Sequence, residues 1–506
     1  MHIFFSGIGG SGIGPLSLIA LRMGYDVSGS DKRNSDYIEQ LRKNGKVSIV
    51  ITQSYDSISK IHMQNPIDWF VYSSAVSIEQ PNSPEFQFCA DHGIMATKRD
   101  KLIKHIIDAK QLQLIAVAGS HGKTTTTAMI IWLFKALNIP ISYSIGGKIS
   151  FGDIGTYHPK STFFVYEADE YDRNFLAFQP YIAAITGTTW DHPDTYPTEH
   201  SYIQAFRDFV KQSKYTIVWQ SGKEQLDIQI NKDTVIIQDD DSHIMLFCLI
   251  GEVNRRNAWQ AVWVVHIATN ISISELIEHV NRFPGVSRRF EQIRPNLYTD
   301  YAHTPAKIRG ALQVAHEIAG NNVAAVYEGF QNTRQHFMKN DLCHLFDDVK
   351  HVYIVPIYLA REDPGLEILS PNTLRTFLND QTQGNTTPSQ LDETLKTQIQ
   401  QHINSGDLVL GLSAGSSNSL DEWLRRTFEL PYLAREDPGL EILSPNTLRT
   451  FLNDQTQGNT TPSQLDETLK TQIQQHINSG DLVLGLSAGS SNSLDEWLRR
   501  TFELPI

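Results

Sequence analysis

Leu114-Ile115-Ala116-Val117-Ala118-Gly119-Ser120-His121-Gly122-Lys123-Thr124-Thr125-Thr126-Thr127 decides how the rest of this chain is read. A short apolar run closed by glycine reads as a buried parallel strand, and the apolar positions beyond it (Met129, Ile130, Leu133, Phe134, Leu137) recur at helical spacing. The turn between them reads as a phosphate site. Backbone N–H groups at a helix N-terminus attract an anion, and glycine lets the backbone approach it closely. Gly119, Ser120, His121, Gly122, Lys123, Thr124 and Thr125 are the candidate nucleotide ligands, with Lys123 as a point charge and the Thr124 hydroxyl as a ligand for Mg²⁺. The spacing G-x-x-G-K-T is shorter than the usual P-loop G-x-x-x-x-G-K-[ST]. An ordinary glycine-containing βα turn is the alternative.

The chain has 506 residues, a length that suggests about three or four domains. Its 43 basic and 56 acidic residues give a net charge of −13, which argues against a nucleic-acid partner. Met1-His2-Ile3-Phe4-Phe5 enters a strand at once with no basic leader, so no signal peptide is expected. No apolar run approaches the roughly 20 residues of a membrane span, and no membrane partner is expected. Cys89, Cys248 and Cys343 lie far apart, matching neither a disulfide framework nor a metal site. They read as thiols of a reducing, cytoplasmic compartment.

Working outward, residues 1–110 read as a first α/β domain. Strand His2 to Phe5 runs into Gly7-Ile8-Gly9-Gly10-Ser11-Gly12, a G-x-G-x-x-G opening a helix, and a second strand (Asp26 to Ser28) ends at Asp31. Glycines at the turn and an acid after the second strand fit a dinucleotide or nucleotide-sugar site, with Gly7, Gly9, Gly10, Ser11, Gly12 and Asp31 as its candidates. A dehydrogenase or a structural turn would look the same. Trp69 to Ala75 reads as a further strand whose end places Ser73 and Ser74 at a ligand.

Residues 111–295 form a second domain around the phosphate turn. Strand Thr162 to Tyr166 is followed by Glu167-Ala168-Asp169-Glu170-Tyr171-Asp172, and strand Ile182 to Ile185 by a loop reaching Asp191-His192. Acids and a histidine at neighbouring strand ends are natural Mg²⁺ ligands, so Thr124, Glu167 and His192 are the candidate metal set. Asn254 and Asn257 sit one turn apart at the start of a helix, and Arg288-Arg289 follows Pro284-Gly285 as surface charge or an anion clamp. Residues 296–431 form a third α/β unit, in which strand ends carry Asp300-Tyr301-Ala302-His303 and Glu328 to Arg334.

Residues 358–431 recur without a difference as residues 432–505. An identical copy of 74 residues is a very recent duplication or an error in assembling the gene sequence; structural arrays drift and use shorter periods. Each copy carries a strand (Leu408 to Leu412 in the first) that needs parallel neighbours, and only one copy can fill a given slot in a sheet. The second copy reads as redundant.

The fold class is therefore α/β, with three consecutive domains: N-terminal Rossmann-like, central P-loop ATPase-like parallel sheet, and C-terminal Rossmann-like, plus the duplicated segment. G-I-G-G-S-G (7–12), G-S-H-G-K-T-T-T (119–126), E-A-D-E-Y-D (167–172), D-H-x-D-T-Y (191–196), N-x-x-N-A (254–258), F-P-G-V-x-R-R-F (283–290) and D-Y-A-H-T-P (300–305), in this order, resemble the Mur ligase family of peptidoglycan synthesis. The first glycine motif is most similar to members that join L-alanine to UDP-N-acetylmuramate, in which that domain holds the UDP-sugar. Glu170-Tyr171-Asp172 and Glu328 with Asn332-Thr333 look more like the murein-tripeptide ligase. Thr186-Gly187-Thr188-Thr189, Val253, Thr299 and Thr304 depart from the family's T-N-x-E, H-N and D-D-Y-x-H-H-P.

The resemblance implies ATP-dependent amide formation with Mg²⁺ and, as small-molecule partners, UDP-N-acetylmuramate and L-alanine; a monomer or weak homodimer is expected. It places Lys123 on the β/γ phosphates, Thr124, Glu167 and His192 on Mg²⁺, Asn254 and Asn257 on the adenine side, and Arg289 and Arg334 on the transferring phosphate. Asp300 takes a nucleotide or amine contact, and His303 is a candidate general base. A non-catalytic nucleotide-binding homologue and an oxidoreductase are the competing classes.

Overall fold

The first strands pair as β3-β2-β1-β4-β5, all parallel: β1 (His2–Ser6), β2 (Asp26–Ser30), β3 (Ser48–Val50), β4 (Trp69–Tyr72) and β5 (Met95–Lys98). The strand order reverses between β1 and β4, so the loops after these two flank the crevice in which such open sheets take ligands. The computed structural model describes residues 1–428, except 46, 193–194, 230–232, 361 and 417, and residues 467–478. β4 is shorter than its sequence suggests. Ser73 accepts a hydrogen bond from the Val76 backbone N–H and so starts a helix, Ser74–Glu79, where a longer strand is expected.

The second sheet runs β12-β11-β10-β6-β9-β7-β8, with β6 (Gln113–Ala118), β7 (Ser142–Ser144), β8 (Gly155–Thr156), β9 (Phe163–Glu167), β10 (Ile182–Ile185), β11 (Tyr215–Trp219) and β12 (Thr234–Ile237). Only β7 and β8 pair antiparallel. Leu114 to Ala118 are all buried, as a strand covered on both faces requires. Helices Lys123–Ala136 and Glu252–Thr269 cover one face. On the other, a continuous apolar cluster joins Ile3, Phe5 and Val71 of the first sheet to Ala116, Tyr166 and Ala183 of the second.

The third sheet is β13-β14-β18-β15-β16-β17: β13 (Glu291–Arg294), β14 (Leu297–Asp300), β15 (Val323–Phe330), β16 (His351–Tyr358), β17 (Thr386–Pro388) and β18 (Leu408–Leu412). β13 is a polar edge strand without an apolar pattern to announce it; it forms a hairpin with β14, reversing at Asn296 with φ +64°. β15 extends past its apolar run to Phe330 and so buries Glu328.

Residues 1–429 form one compact unit and residues 430–506 a second. Of the two identical strand sequences, the first copy fills the slot between β14 and β15 as β18. In the second unit, helix Glu467–Asn478 repeats helix Glu393–Asn404 residue for residue. The second copy's strand, residues 482–486, lies outside the described residues, as does most of the segment read as redundant. Among the described residues no helix is long and apolar enough to cross a membrane.

Candidate functional site

A cleft of about 1400 Å³ is lined by loops that follow strands of all three sheets. Gly10, Ser11, Gly12, Ser73 and Ser74 reach it from the first sheet, and Ser120 to Thr125, Glu167 and His192 from the second. Asn254, Asn257, Arg289, Asp300, His303 and Arg334 complete the sequence-predicted set. Gly7, Gly9, Asp31 and Gly119 do not line it. Asp31 accepts from the Gly9 N–H at 2.8 Å and holds the first glycine turn in shape from behind. Gly119 has φ +143°, and a Cβ there would lie 2.4 Å from Thr186 Oγ1 and 2.7 Å from the Gly187 nitrogen, so it is a packing glycine.

The phosphate turn joins β6 to helix Lys123–Ala136. Its N-cap, Gly122 with φ +75°, offers no side chain to the first backbone N–H groups, which leaves them for an anion. His121 packs over the neighbouring loop so closely that a Cβ on Gly187 would come within 2.3 Å of its Nε2. Burial, then the Lys307 and Lys123 charges, lower His121 to about 4, so its imidazole is neutral.

The acids after β9 divide their work. Glu167, the last residue of the strand, accepts from Thr124 Oγ1 at 2.7 Å and from the Gly146 N–H at 2.8 Å. Arg289 reaches Thr124 Oγ1 at 3.1 Å. Asp169 pairs with Arg99 at 2.8 Å and Asp172 with Lys98 at 2.5 Å, linking the second sheet's loop to the end of the first. Glu170 is fully buried, and both its oxygens face Lys123, at 2.7 and 2.8 Å. Burial opposes the Lys123 charge, but Glu170 and Asp169 outweigh it and raise its pKa.

Thr124 and Glu167 are thus brought together as a pair of hard oxygen donors suited to Mg²⁺. His192 lines the same cleft, 3.7 Å from Glu170 and 4.0 Å from Asp191. Among the described residues no three His, Cys, Asp or Glu side chains gather to hold a metal. One carboxylate and one hydroxyl leave the remaining positions to phosphate and water, which is how Mg²⁺ is commonly bound.

Asp191, quoted in the sequence only as part of a motif, has a role of its own. Its carboxylate takes Arg334 at 2.6 Å and Lys307 at 3.4 Å, both from the third sheet's side of the cleft. Although burial works against ionisation, these cations hold its pKa well below the usual carboxylate range. His303 donates from Nδ1 to the Tyr301 carbonyl at 2.9 Å, because a carbonyl can only accept. Its Nε2 therefore carries the lone pair, and burial followed by Lys307 and Arg334 keeps the ring neutral. Asp300 spends its two oxygens on the Phe290 and Ala302 N–H groups, at 2.8 and 2.7 Å, and burial raises its pKa. Asn254 donates to the Ile250 carbonyl at 2.8 Å, and Asn257 stands against Gly122. Glu170 and Asp191 stand inside quoted motifs without a role of their own and Lys307 two residues past one, because the charges they meet lie far along the chain.

Fold and site together define an α/β protein in which three parallel-rich sheets share one cleft around a glycine-rich anion turn. Residues 2–111 match the Mur ligase family catalytic domain, 117–243 the Mur ligase middle domain and 288–415 the Mur ligase glutamate ligase domain. The chain belongs to the Mur ligase family. A UDP-N-acetylmuramate--L-alanine ligase of Clostridium tetani is 29% identical over 449 residues, 82% of this chain and 95% of that protein. The solved structure of UDP-N-acetylmuramate-alanine ligase MurC from Thermotoga maritima matches with a TM-score of 0.66 at 22% identity, covering 84% of this chain and 98% of that one. A murein peptide ligase from Psychrobacter arcticus matches with a TM-score of 0.55 at 22% identity, covering 82% and 96%. At these identities the structures speak for the fold alone.

Proposed function

We propose that this protein is an ATP-dependent amide ligase of peptidoglycan precursor synthesis that joins L-alanine to UDP-N-acetylmuramate. The observation that carries the reading is the meeting, in one cleft, of the Lys123 turn, the Thr124–Glu167 oxygen pair, the arginines Arg289 and Arg334, and the first sheet's Gly10-Ser11-Gly12 turn. Residues 1–110 would hold the UDP-sugar, 111–295 the nucleotide, and 296–431 the acceptor side. Among the described residues the buried Nε of Arg334 has no partner, and the helix N-terminus at Gly122 has no side-chain cap; both fit a phosphate.

A carboxylate is a poor electrophile, so the muramoyl carboxylate first attacks the terminal phosphorus of ATP, forming an acyl phosphate and releasing ADP. The incoming amine then adds to the acyl carbon and expels phosphate. Lys123, Arg289 and Arg334 stabilise the negative charge that gathers on oxygen in both steps. Thr124 and Glu167 would hold Mg²⁺, which neutralises phosphate charge. His303, whose unprotonated Nε2 stands 3.4 Å from the Lys307 ammonium, lines the cleft and is the candidate base for the amine. The protein would act in the cytoplasm as a monomer or weak homodimer.

Glu170-Tyr171-Asp172 and Glu328 with Asn332-Thr333, which look more like the murein-tripeptide ligase, favour a second acceptor, a tripeptide. Phosphate release from ATP with UDP-N-acetylmuramate and Mg²⁺, adding L-alanine or tripeptide in turn, separates the two. Release with L-alanine alone supports the proposal and release with tripeptide alone moves the enzyme to recycling. Silence with both, from protein that still binds ATP, leaves a binding protein.

A further inference from the structure

Two partly buried cations from the third sheet's side share one carboxylate unequally. Arg334 takes Asp191 at 2.6 Å, whereas the Lys307 ammonium stands 3.4 Å from the other Asp191 oxygen and 3.4 Å from His303 Nε2. Both Lys307 contacts are at the long end of hydrogen-bond range. Glu170 favours the Lys307 charge only from a distance, because both its oxygens accept from Lys123. Lys307 also occupies the first turn of helix Pro305–Ala319, where the helix dipole disfavours a cation. Its side chain is 22% exposed and lines the same cleft as the phosphate turn. Nothing in its own element explains a lysine here.

We propose that Lys307 is a second cation, beside Arg334, that binds the terminal phosphate of the nucleotide. The inference rests on the ATP reading above and deepens it. Asp191 holds both cations toward the phosphate turn while no phosphate is bound, and the terminal phosphate supplies the second anion that the pair lacks. Lys307 is close enough to the turn for its charge to act on His121 and Lys123, and burial, opposed by Asp191 but helped by the Lys123 and Arg334 charges, lowers its own pKa to about 8. ADP lacks the γ-phosphate that ends ATP, so the contact discriminates ATP from ADP.

Calorimetric titration of the full chain with Mg²⁺ and either ADP or the non-hydrolysable ATP analogue AMP-PNP tests this without any acceptor or turnover. Lys307→Met should weaken AMP-PNP by about tenfold, the value of one charge-assisted contact, and ADP by less than about twofold. Lys307→Arg, which keeps the charge, should restore the preference, and Lys307→Gln replaces the Met variant if that one fails to fold. Equal weakening of both nucleotides, or of neither, overturns the role of Lys307 while the ATP reading stands. Wild-type protein that binds neither nucleotide overturns the ATP reading itself.

Discussion

The Lys123 ammonium lies 2.7 and 2.8 Å from the two oxygens of Glu170, a fully buried acid 47 residues further along the chain. The lysine that a phosphate turn presents to its ligand is thereby neutralised within the protein. Removing one member of a buried pair leaves the other uncompensated, at a cost of about 3–5 kcal/mol. Glu170→Gln should therefore lower the unfolding free energy by about 3 kcal/mol in urea titrations without nucleotide. ATP with Mg²⁺ should recover more of it in the variant than it adds to the wild type. Equal gains in both would show that phosphate does not replace the carboxylate.

Glu328 is 3% exposed; it accepts from Ser413 Oγ at 2.6 Å and the Leu420 N–H at 2.8 Å, and burial raises its pKa from 4.5 to about 7. The native state thus holds a proton that the unfolded chain gives up between these values. Stability falls as pH rises from 4.5 to 7, by up to about 3 kcal/mol, and stays lower above that. Glu328→Gln keeps an acceptor for Leu420 and turns an amide toward Ser413. Urea midpoints at pH 5 and pH 8 should differ less in this variant than in the wild type, with the variant gaining at pH 8.

Gly187 leaves room for the His121 ring. In Gly187→Ala the new methyl would lie 2.3 Å from His121 Nε2, so the ring and the turn it belongs to must shift. Overpacking of this kind costs about 1–3 kcal/mol. We expect ATP affinity to fall by more than about tenfold in calorimetry. Unchanged affinity would mean that the turn binds without His121 in place.

Because the first copy of the repeat fills the β14–β15 slot, a chain ending at Pro431 should keep the whole third sheet. Its thermal midpoint and ATP affinity should equal those of the full chain. In contrast, Leu410→Asp puts an unpaired charge in a fully buried strand and should cost several kcal/mol, enough to unfold the third sheet. A truncated chain that melts well below the full one would show that the second copy supports the first.

The sequence announced the first two sheets because β1 and β6 each run from an apolar stretch into a glycine turn within a few residues, and the third through the apolar runs of β15, β16 and β18. It missed β13 and β17, which are short and polar and exist only because a neighbouring strand offers them hydrogen bonds. Glu167 and Thr124 were legible as a pair, since strand ends and turn residues mark themselves. Glu170 read as one of four loop acids, and only its burial on Lys123 sets it apart from Asp172.

Local sequence determined the elements. The strand, turn and helix of residues 113–136 need nothing beyond their own periodicity, and helix Glu393–Asn404 forms again, with the same bounds, as Glu467–Asn478. Tertiary structure decided which of two identical strand sequences completes the third sheet, because a slot between two parallel neighbours accepts a single strand. It also decided which charges meet. Asp191 holds Arg334 and Lys307 across 143 and 116 residues of chain, and the strength of such contacts depends on distance and burial, which only packing supplies.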